Sequence, residues 1–194
     1  MPTTKLTKAF SFFDKENAKD PNKEVVSRES IPKELIYGQR MSQTLTKYTS
    51  EASEALQLAT RAQHLCRWEI PRDTYPMDRV GYLKWREELK KFHAEKASGI
   101  LQKVGYNKET INRVSFLIQK KKLKKDEDTQ ILEDVICLVF LEFYYSEFYE
   151  KHTSEKVIDI LQKTWRKMSK KGHQAALKLS YTKRGLELIK QAIA

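Results

Sequence analysis

Apolar residues recur at three- and four-residue spacing along almost the whole chain, and no stretch alternates with period two for long enough to argue a sheet. That periodicity confines the fold to packed amphipathic helices. Leu6, Phe10 and Phe13 predict a first helix, closed near the turn signal Asp20-Pro21-Asn22, and residues 21–31 read as a loop. Pro32 sits where a helix start tolerates proline, and Leu35, Ile36, Met41 and Leu45 carry a second helix to about Tyr48. Ser50, with Glu54 behind it, is the capping signal for a third, in which Ala52, Ala55, Leu56, Ala59, Ala62 and Leu65 run to Trp68. Two prolines bracket residues 69–76 as a loop. A long helix is expected from Asp78 to Val104, stopped by Gly105, and another from Glu109 to about Lys122. Asp126-Glu127-Asp128 sets acids at the positive end of the most hydrophobic helix, which runs through Ile131 to about Tyr149. Val157, Ile158, Leu161, Trp165 and Met168 form a further stripe, and Ala175, Leu179, Leu186, Ile189 and Ile193 a last one. The expectation is an all-α fold of at least six helices with no sheet. It is one helical-bundle domain over residues 1–194, its core at about 8–170 and a basic helical extension at 171–194.

Composition narrows the function classes. Five Pro and six Gly in 194 residues exclude collagen-like and low-complexity chains. No run of about 18 apolar residues is present, which excludes a spanning helix, so no membrane partner is expected. Residues 1–20 mix Lys, Asp and aromatics without an apolar stretch, so no signal peptide is expected. Cys66 and Cys137 both lie in apolar helical patterns, which suits buried, reduced thiols in a cytoplasmic protein. The net charge is +11, and residues 151–194 hold eleven Lys or Arg against three acids. A second cluster, Lys120, Lys121, Lys122, Lys124 and Lys125, interrupts the middle. Such runs are solvated faces in most chains; the sharper alternative is a nucleic-acid partner held by the basic C-terminal helices. Gly-rich phosphate loops, Cys-x-x-Cys, His-Glu-x-x-His and Gly-x-Ser-x-Gly are all absent from the sequence.

What remains is a constellation from Gln63 to His93. Gln57, Arg61, His64 and Trp68 share a face if one helix carries them, with Arg67 reachable from the same side. Arg79, Arg86 and His93 recur every seven residues, an interval that drifts only about 20° in a helix, so they share a face with Tyr82, Leu83 and Leu89. Inward arginines are costly unless an anion or carboxylate pairs with them. Asp134, on the core stripe of Gln130, Cys137, Leu138 and Leu141, is the expected carboxylate. Two readings stay open: a structural network of Arg, His and Asp134, or an anion pocket rimmed by Arg72 and Tyr75. In the second, His64 is the candidate general acid or base, because an unperturbed imidazole titrates near neutrality.

The stretch His64-Leu-Cys-Arg-Trp-Glu-Ile-Pro-Arg-Asp-Thr-Tyr-Pro76, with Gly81-Tyr-Leu-Lys-Trp-Arg86, resembles the uncharacterised domain-of-unknown-function family 4202. Phe92-His93-Ala94, Asp126-Glu-Asp-Thr-Gln130, Leu132-Glu-Asp-Val135 and Cys137-Leu-Val-Phe-Leu141 extend the resemblance over about residues 8–170. A more distant similarity is to the His-Asp phosphohydrolases, all-helical metal enzymes that cleave phosphate esters. In that comparison His64 matches the first histidine and Asp134 the final aspartate, but the middle His-Asp pair is missing, since Ala94 follows His93. One His and one Asp are too few ligands for tight metal binding. The resemblance therefore implies a helical scaffold and a degenerate, metal-independent cleft without a cofactor. His64, Arg67, Arg86, His93 and Asp134 would converge there on a phosphorylated small molecule or nucleotide, arginine being suited to bidentate phosphate contacts. The enzymatic alternative is a phosphohydrolase whose metal draws further oxygens from Glu69, Asp73 or Glu95.

Overall fold

The structure, a computed structural model, describes residues 4–194 and is all-α apart from one short hairpin. The chain divides into two compact units, one running to Lys122 and one from Leu123 to Ala194.

In the N-terminal unit α1 (Lys5–Asn17) is capped by the Thr4 side chain, which accepts from the Thr7 N–H. The segment expected to be a loop contains instead an antiparallel hairpin, β1 (Lys23–Val26) and β2 (Glu29–Pro32). Ser27 and Arg28 make its two-residue turn, both at positive φ (51° and 72°). The turn lacks the Asn-Gly or Asp-Gly signature that left-handed pairs favour, and the strands have only four residues each, so periodicity could not announce them. α2 (Lys33–Tyr48) starts directly after Pro32. α3 (Glu54–Arg61) is capped by Ser53, which accepts from Leu56 N–H, and not by Ser50.

The third helix also stops seven residues short of Trp68. Its apolar pattern continues, but the backbone turns at Ala62 and passes through a left-handed Cys66 (φ 56°). Buried Asn17 drives that turn. Its side-chain carbonyl accepts the Cys66 N–H at 3.0 Å, and its amide donates to the Glu34 carbonyl at 3.1 Å. One side chain thus ties the end of α1 to the start of α2 and to the residues that follow α3. Two single 3₁₀ turns, Arg67–Glu69 and Arg72–Thr74, lead to α4 (Arg79–Val104). Asp78 caps α4 and Gly105 (φ 92°) ends it, as expected from sequence. α5 (Lys108–Ile118) is capped by Asn107 and packs on α3 and α4. Phe13, Met41, Leu56, Leu65, Leu101 and Leu117 are fully enclosed between these helices.

The C-terminal unit begins its helices with α6 (Glu127–Val139), capped by Asp126. A π-helical segment, Phe140–Tyr144, joins it to α7 (Tyr145–Lys151), so the long hydrophobic run is one interrupted rod. α8 (Ser154–Lys167) follows as expected. The last stripe is split into α9 (Lys170–Ala176) and α10 (Lys183–Ile193), because Ser169 and Thr182 each open a helix of their own. Cys66 and Cys137 are buried free thiols, and burial, reinforced by Glu69, pushes the Cys66 thiol up to about 12. Counted by unit, the charge moves: residues 1–122 carry 24 Lys or Arg against 15 acids, and residues 123–194 carry 13 against 11. The basic C-terminal helices belong to a nearly neutral unit, and the excess lies in the other one.

Two glycines of α4 should respond oppositely to the same substitution. A Cβ on Gly81 would meet the Pro76 carbonyl oxygen at 2.1 Å, whereas nothing lies within 4 Å of one on Gly99. Gly99→Ala should add about 0.5–1 kcal/mol through helix propensity, and Gly81→Ala should cost about 1–3 kcal/mol by overpacking. Urea unfolding of both variants checks this; equal effects would contradict the tight seat of the 71–78 loop on α4.

Candidate functional site

The site lies in the N-terminal unit, around the turn that Asn17 holds. His64 sits between two partners. Its Nδ1 is 3.2 Å from Glu34 Oε2, and its Nε2 is 3.0 Å from Arg67 Nη1. A guanidinium only donates, so Nε2 is the lone-pair nitrogen and the proton is on Nδ1, donated to Glu34. The ring stacks on Tyr37 with centroids 4.0 Å apart and 9° between planes. His93 has the same tautomer for a separate reason: its Nδ1 is 2.8 Å from the Leu65 carbonyl, which only accepts. Its Nε2 is buried and has no hydrogen-bond partner among the described residues. The two imidazoles are 5.9 Å apart.

Arg67 is held by stacking as much as by charge. Its guanidinium lies 4.8 Å from the Trp85 ring centre, and its Nε is 3.9 Å from Glu34 Oε1. Trp85 is fixed in turn by its indole N–H, which donates to the Ile70 carbonyl at 2.9 Å. Arg72 folds the loop rather than reaching outward. It donates to the carbonyls of Tyr75, Pro76 and Asp78 at 3.0, 2.8 and 3.2 Å, and lies 5.9 Å from the rings of both Tyr82 and Trp85. Tyr75 gives Arg72 its carbonyl, while its phenol faces Glu88 and is held above its usual range by desolvation and that carboxylate. Arg86 is half-buried and makes no hydrogen bond or ion pair among the described residues, yet its charge acts on His64, Arg67 and His93.

These neighbours set the protonation states. Burial, then Arg67, His93 and Arg86, take His64 well below its ordinary value. Burial takes His93 to about 3, with the Leu65 hydrogen bond opposing and Arg67 and Arg86 adding. Arg67 is lowered by burial and by Arg86, against the pull of Glu34. Burial raises Glu34 to about 7, with Asp20 pushing the same way and Arg67 and Lys33 opposing. The group that titrates near neutrality is therefore Glu34, not His64. A pocket of about 260 Å³ opens here, lined by Lys33, Glu34, Arg67, Trp68, Arg72 and Trp85 among others. Asp20 also lines it, but its carboxylate is occupied by the Asn22 amides and the Glu34 N–H.

Of the residues singled out from sequence, His64, Arg67, Arg86 and His93 come together, and Arg72 lines the pocket as the brace of its wall. Asp134 belongs to the C-terminal unit. Its carboxylate accepts from the Ser169 N–H at 2.8 Å, the Ser169 hydroxyl at 2.5 Å and the Gln130 amide at 3.1 Å. A Cβ on Gly172 would strike it at 2.6 Å, so the start of α9 is built closely around this carboxylate. The acid that His64 and Arg67 meet is Glu34, which a sequence reading passes over as a first-turn helix residue. The donor set does not fit a divalent cation: Arg67 points N–H groups at the free nitrogen of His64, and the oxygens of Asp134 already accept three hydrogen bonds. Glu69, offered as an extra ligand, pairs with Lys96 at 2.8 Å. Among the described residues no group of three or more His, Cys, Asp or Glu is placed to hold a metal.

Glu34 gives a pH signature with a definite sign. Its folded value, about 7, lies above its ordinary 4.5, so from pH 4.5 to 7 the unfolded chain releases a proton that the folded chain keeps. Stability contributed by this group is full below 4.5 and lost as pH rises through 7. Glu34→Gln removes that loss. The stability of the variant relative to wild type should rise across pH 4.5 to 7 and level off above it; a constant difference would contradict a buried, proton-retaining Glu34.

Among the described residues no helix is long and apolar enough to cross a membrane. No curated protein and no solved structure matches the chain. A family model does, over residues 7–189, a span that includes the Glu34–His64–Arg67 cluster and most of each unit. The chain belongs to the family described as Domain of unknown function (DUF4202).

Proposed function

We propose that the N-terminal unit binds the phosphate of a phosphorylated small molecule or nucleotide in the Arg67–Trp85 pocket, without a metal or other cofactor. The observation that carries this reading is the uncompensated positive charge. Burial is the largest influence on each of these groups, and Arg67 and Arg86 add to it by opposing protonation of both histidines and, in the case of Arg86, the charge on Arg67, while the carboxylate beside Arg67 is raised by burial to about 7. A cluster kept for stability alone would carry a matching acid. An oxyanion supplies the missing charge and accepts from the guanidinium donors that no residue uses.

The pocket volume of about 260 Å³ suits a phosphate with a small attached group, and the N-terminal unit's +9 charge draws anions toward it. The C-terminal unit, at +2, is the weaker attractor for a nucleic acid despite its basic last helices. Buried free thiols at Cys66 and Cys137 agree with a cytoplasmic setting.

Calorimetric titration with inorganic phosphate, ribose 5-phosphate and AMP, alongside ribose and adenosine, tests the reading. Phosphorylated compounds should bind and their neutral counterparts should not. Arg67→Ala should weaken binding about 10- to 100-fold, the cost of a charge-assisted contact. Arg86 stands behind the lining and acts only through its field, so Arg86→Ala should weaken it less. Arg86→Ala should leave the unliganded chain at least as stable as wild type, because it removes repulsion. No binding of any phosphorylated compound, together with a strongly lowered melting temperature for Arg86→Ala, would show a structural network instead.

A further inference from the structure

Two carboxylates line the pocket: that of Asp20 is taken up by the Asn22 amides and the Glu34 N–H, and that of Glu34 stands where an incoming anion would stand. Glu34 Oε1 is 3.9 Å from Arg67 Nε, Glu34 Oε2 is 3.2 Å from His64 Nδ1, and the side chain lines the pocket. Two anions cannot share Arg67 in a desolvated space at ordinary cost, since like charges at close range disfavour one another strongly. A protonated Glu34, by contrast, has an O–H to donate to an anion's oxygen. We infer that Glu34 is an internal competitor for the anion seat on Arg67, and that the pocket accepts its ligand as a dianion together with one proton taken up by Glu34. This deepens the phosphate reading of the pocket and rests on it.

The groups facing Glu34 support the coupling from every side. From the end of α1, Asp20 accepts the Glu34 N–H at 3.1 Å and its negative charge favours the protonated acid. From α2 itself Lys33 favours the ionised form, as does Arg67 from the turn after α3. His64 is neutral and donates to whichever form is present, and His93 and Arg86 bear on His64 rather than on Glu34. Burial outweighs the two cations, leaving Glu34 near 7 in the empty site. An anion on Arg67 cancels one of those cations, so the bound site holds the proton more firmly. The proton comes from solvent and sits on a Glu34 oxygen, and no bond is broken. The depressed values of His64 and His93 keep both imidazoles out of the exchange above pH 7.

The consequence is a ligand preference and a pH response that ordinary arginine sites lack. The binding-competent fraction is the protonated fraction of Glu34. Affinity for a dianion is therefore nearly full at pH 6 and about tenfold weaker at pH 8. An acceptor-rich dianion, such as a phosphate monoester, profits from both the arginine donors and the Glu34 O–H. A monoanionic diester profits less.

Sulfate is the probe of choice, because it remains a dianion through this range and only the protein titrates. Its affinity should fall about tenfold from pH 6 to pH 8 in wild type. Calorimetry at pH 8 in buffers of different ionisation enthalpy should show uptake approaching one proton per sulfate. Glu34→Gln, which keeps a donor and removes the charge, should bind sulfate with no pH dependence, more tightly than wild type at pH 8, and with no proton uptake. Sulfate binding with pH-independent affinity and no proton uptake in wild type would overturn the Glu34 coupling while leaving the anion pocket standing. Absence of sulfate and phosphate binding at every pH would overturn both.

Discussion

The stacking of Arg67 on Trp85, with its charge facing His64 and Glu34, is the interaction around which the N-terminal unit's polar interior is organised. A guanidinium removed from water needs either full hydrogen bonding or a firm counter-charge. Here it has one bond to a neutral imidazole and one acid that is only partly ionised at neutral pH. The shortfall spreads outward. Burial holds His64 and His93 neutral and the surplus charge adds to it, His93 keeps a bare buried nitrogen, and Arg86 adds repulsion without an acid of its own among the described residues. Strain of this kind persists where the surrounding structure over-determines it.

The surrounding structure does so with few residues. Asn17 fixes the turn that presents His64, Asp20 fixes the N-terminus of α2 that presents Glu34, and Trp85 is anchored to Ile70. Arg72 clamps three carbonyls of the loop whose Pro76 seats on Gly81. Each anchor is a side chain bonded to backbone, so the pocket is framed by main chain and does not depend on long flexible contacts. That framing keeps a poorly compensated cation in place and leaves it ready for an anion at little reorganisation cost.

How much of this was legible in the sequence follows from the range of each interaction. Long helices with strong periodicity and clear caps, such as α4 between Asp78 and Gly105, are dictated locally and read directly. The hairpin at 23–32 and the early end of α3 depend on contacts across the fold, the latter on Asn17, 49 positions from Cys66. Around the site, the seven-residue spacing set Arg86 and His93 on one side of α4 close to His64 and Arg67, and the His64–Arg67 interval paired those two through a turn rather than the helix expected. The pocket itself is lined by Arg67 and Arg72 and by neither histidine nor Arg86. Glu34 was invisible because an acid in a first helical turn has an ordinary explanation in the helix dipole. Asp134 attracted attention as a lone acid on an apolar stripe, and its hydrogen bonds to Ser169 and Gln130 are reason enough for an acid there.

The central claim is that burial, reinforced by arginine charge that no full carboxylate balances, keeps both site imidazoles neutral in the folded chain. Nitrogen-15 chemical shifts of the His64 and His93 rings, followed from pH 8 to pH 5, test it most directly. Both should hold a protonated Nδ1 and a bare Nε2 at neutral pH, with no midpoint in that range for His93 and none near 6.5 for His64. A midpoint near 6.5 for either ring would mean that neither burial nor the arginine charge weighs on it, and would contradict an under-compensated cationic cluster.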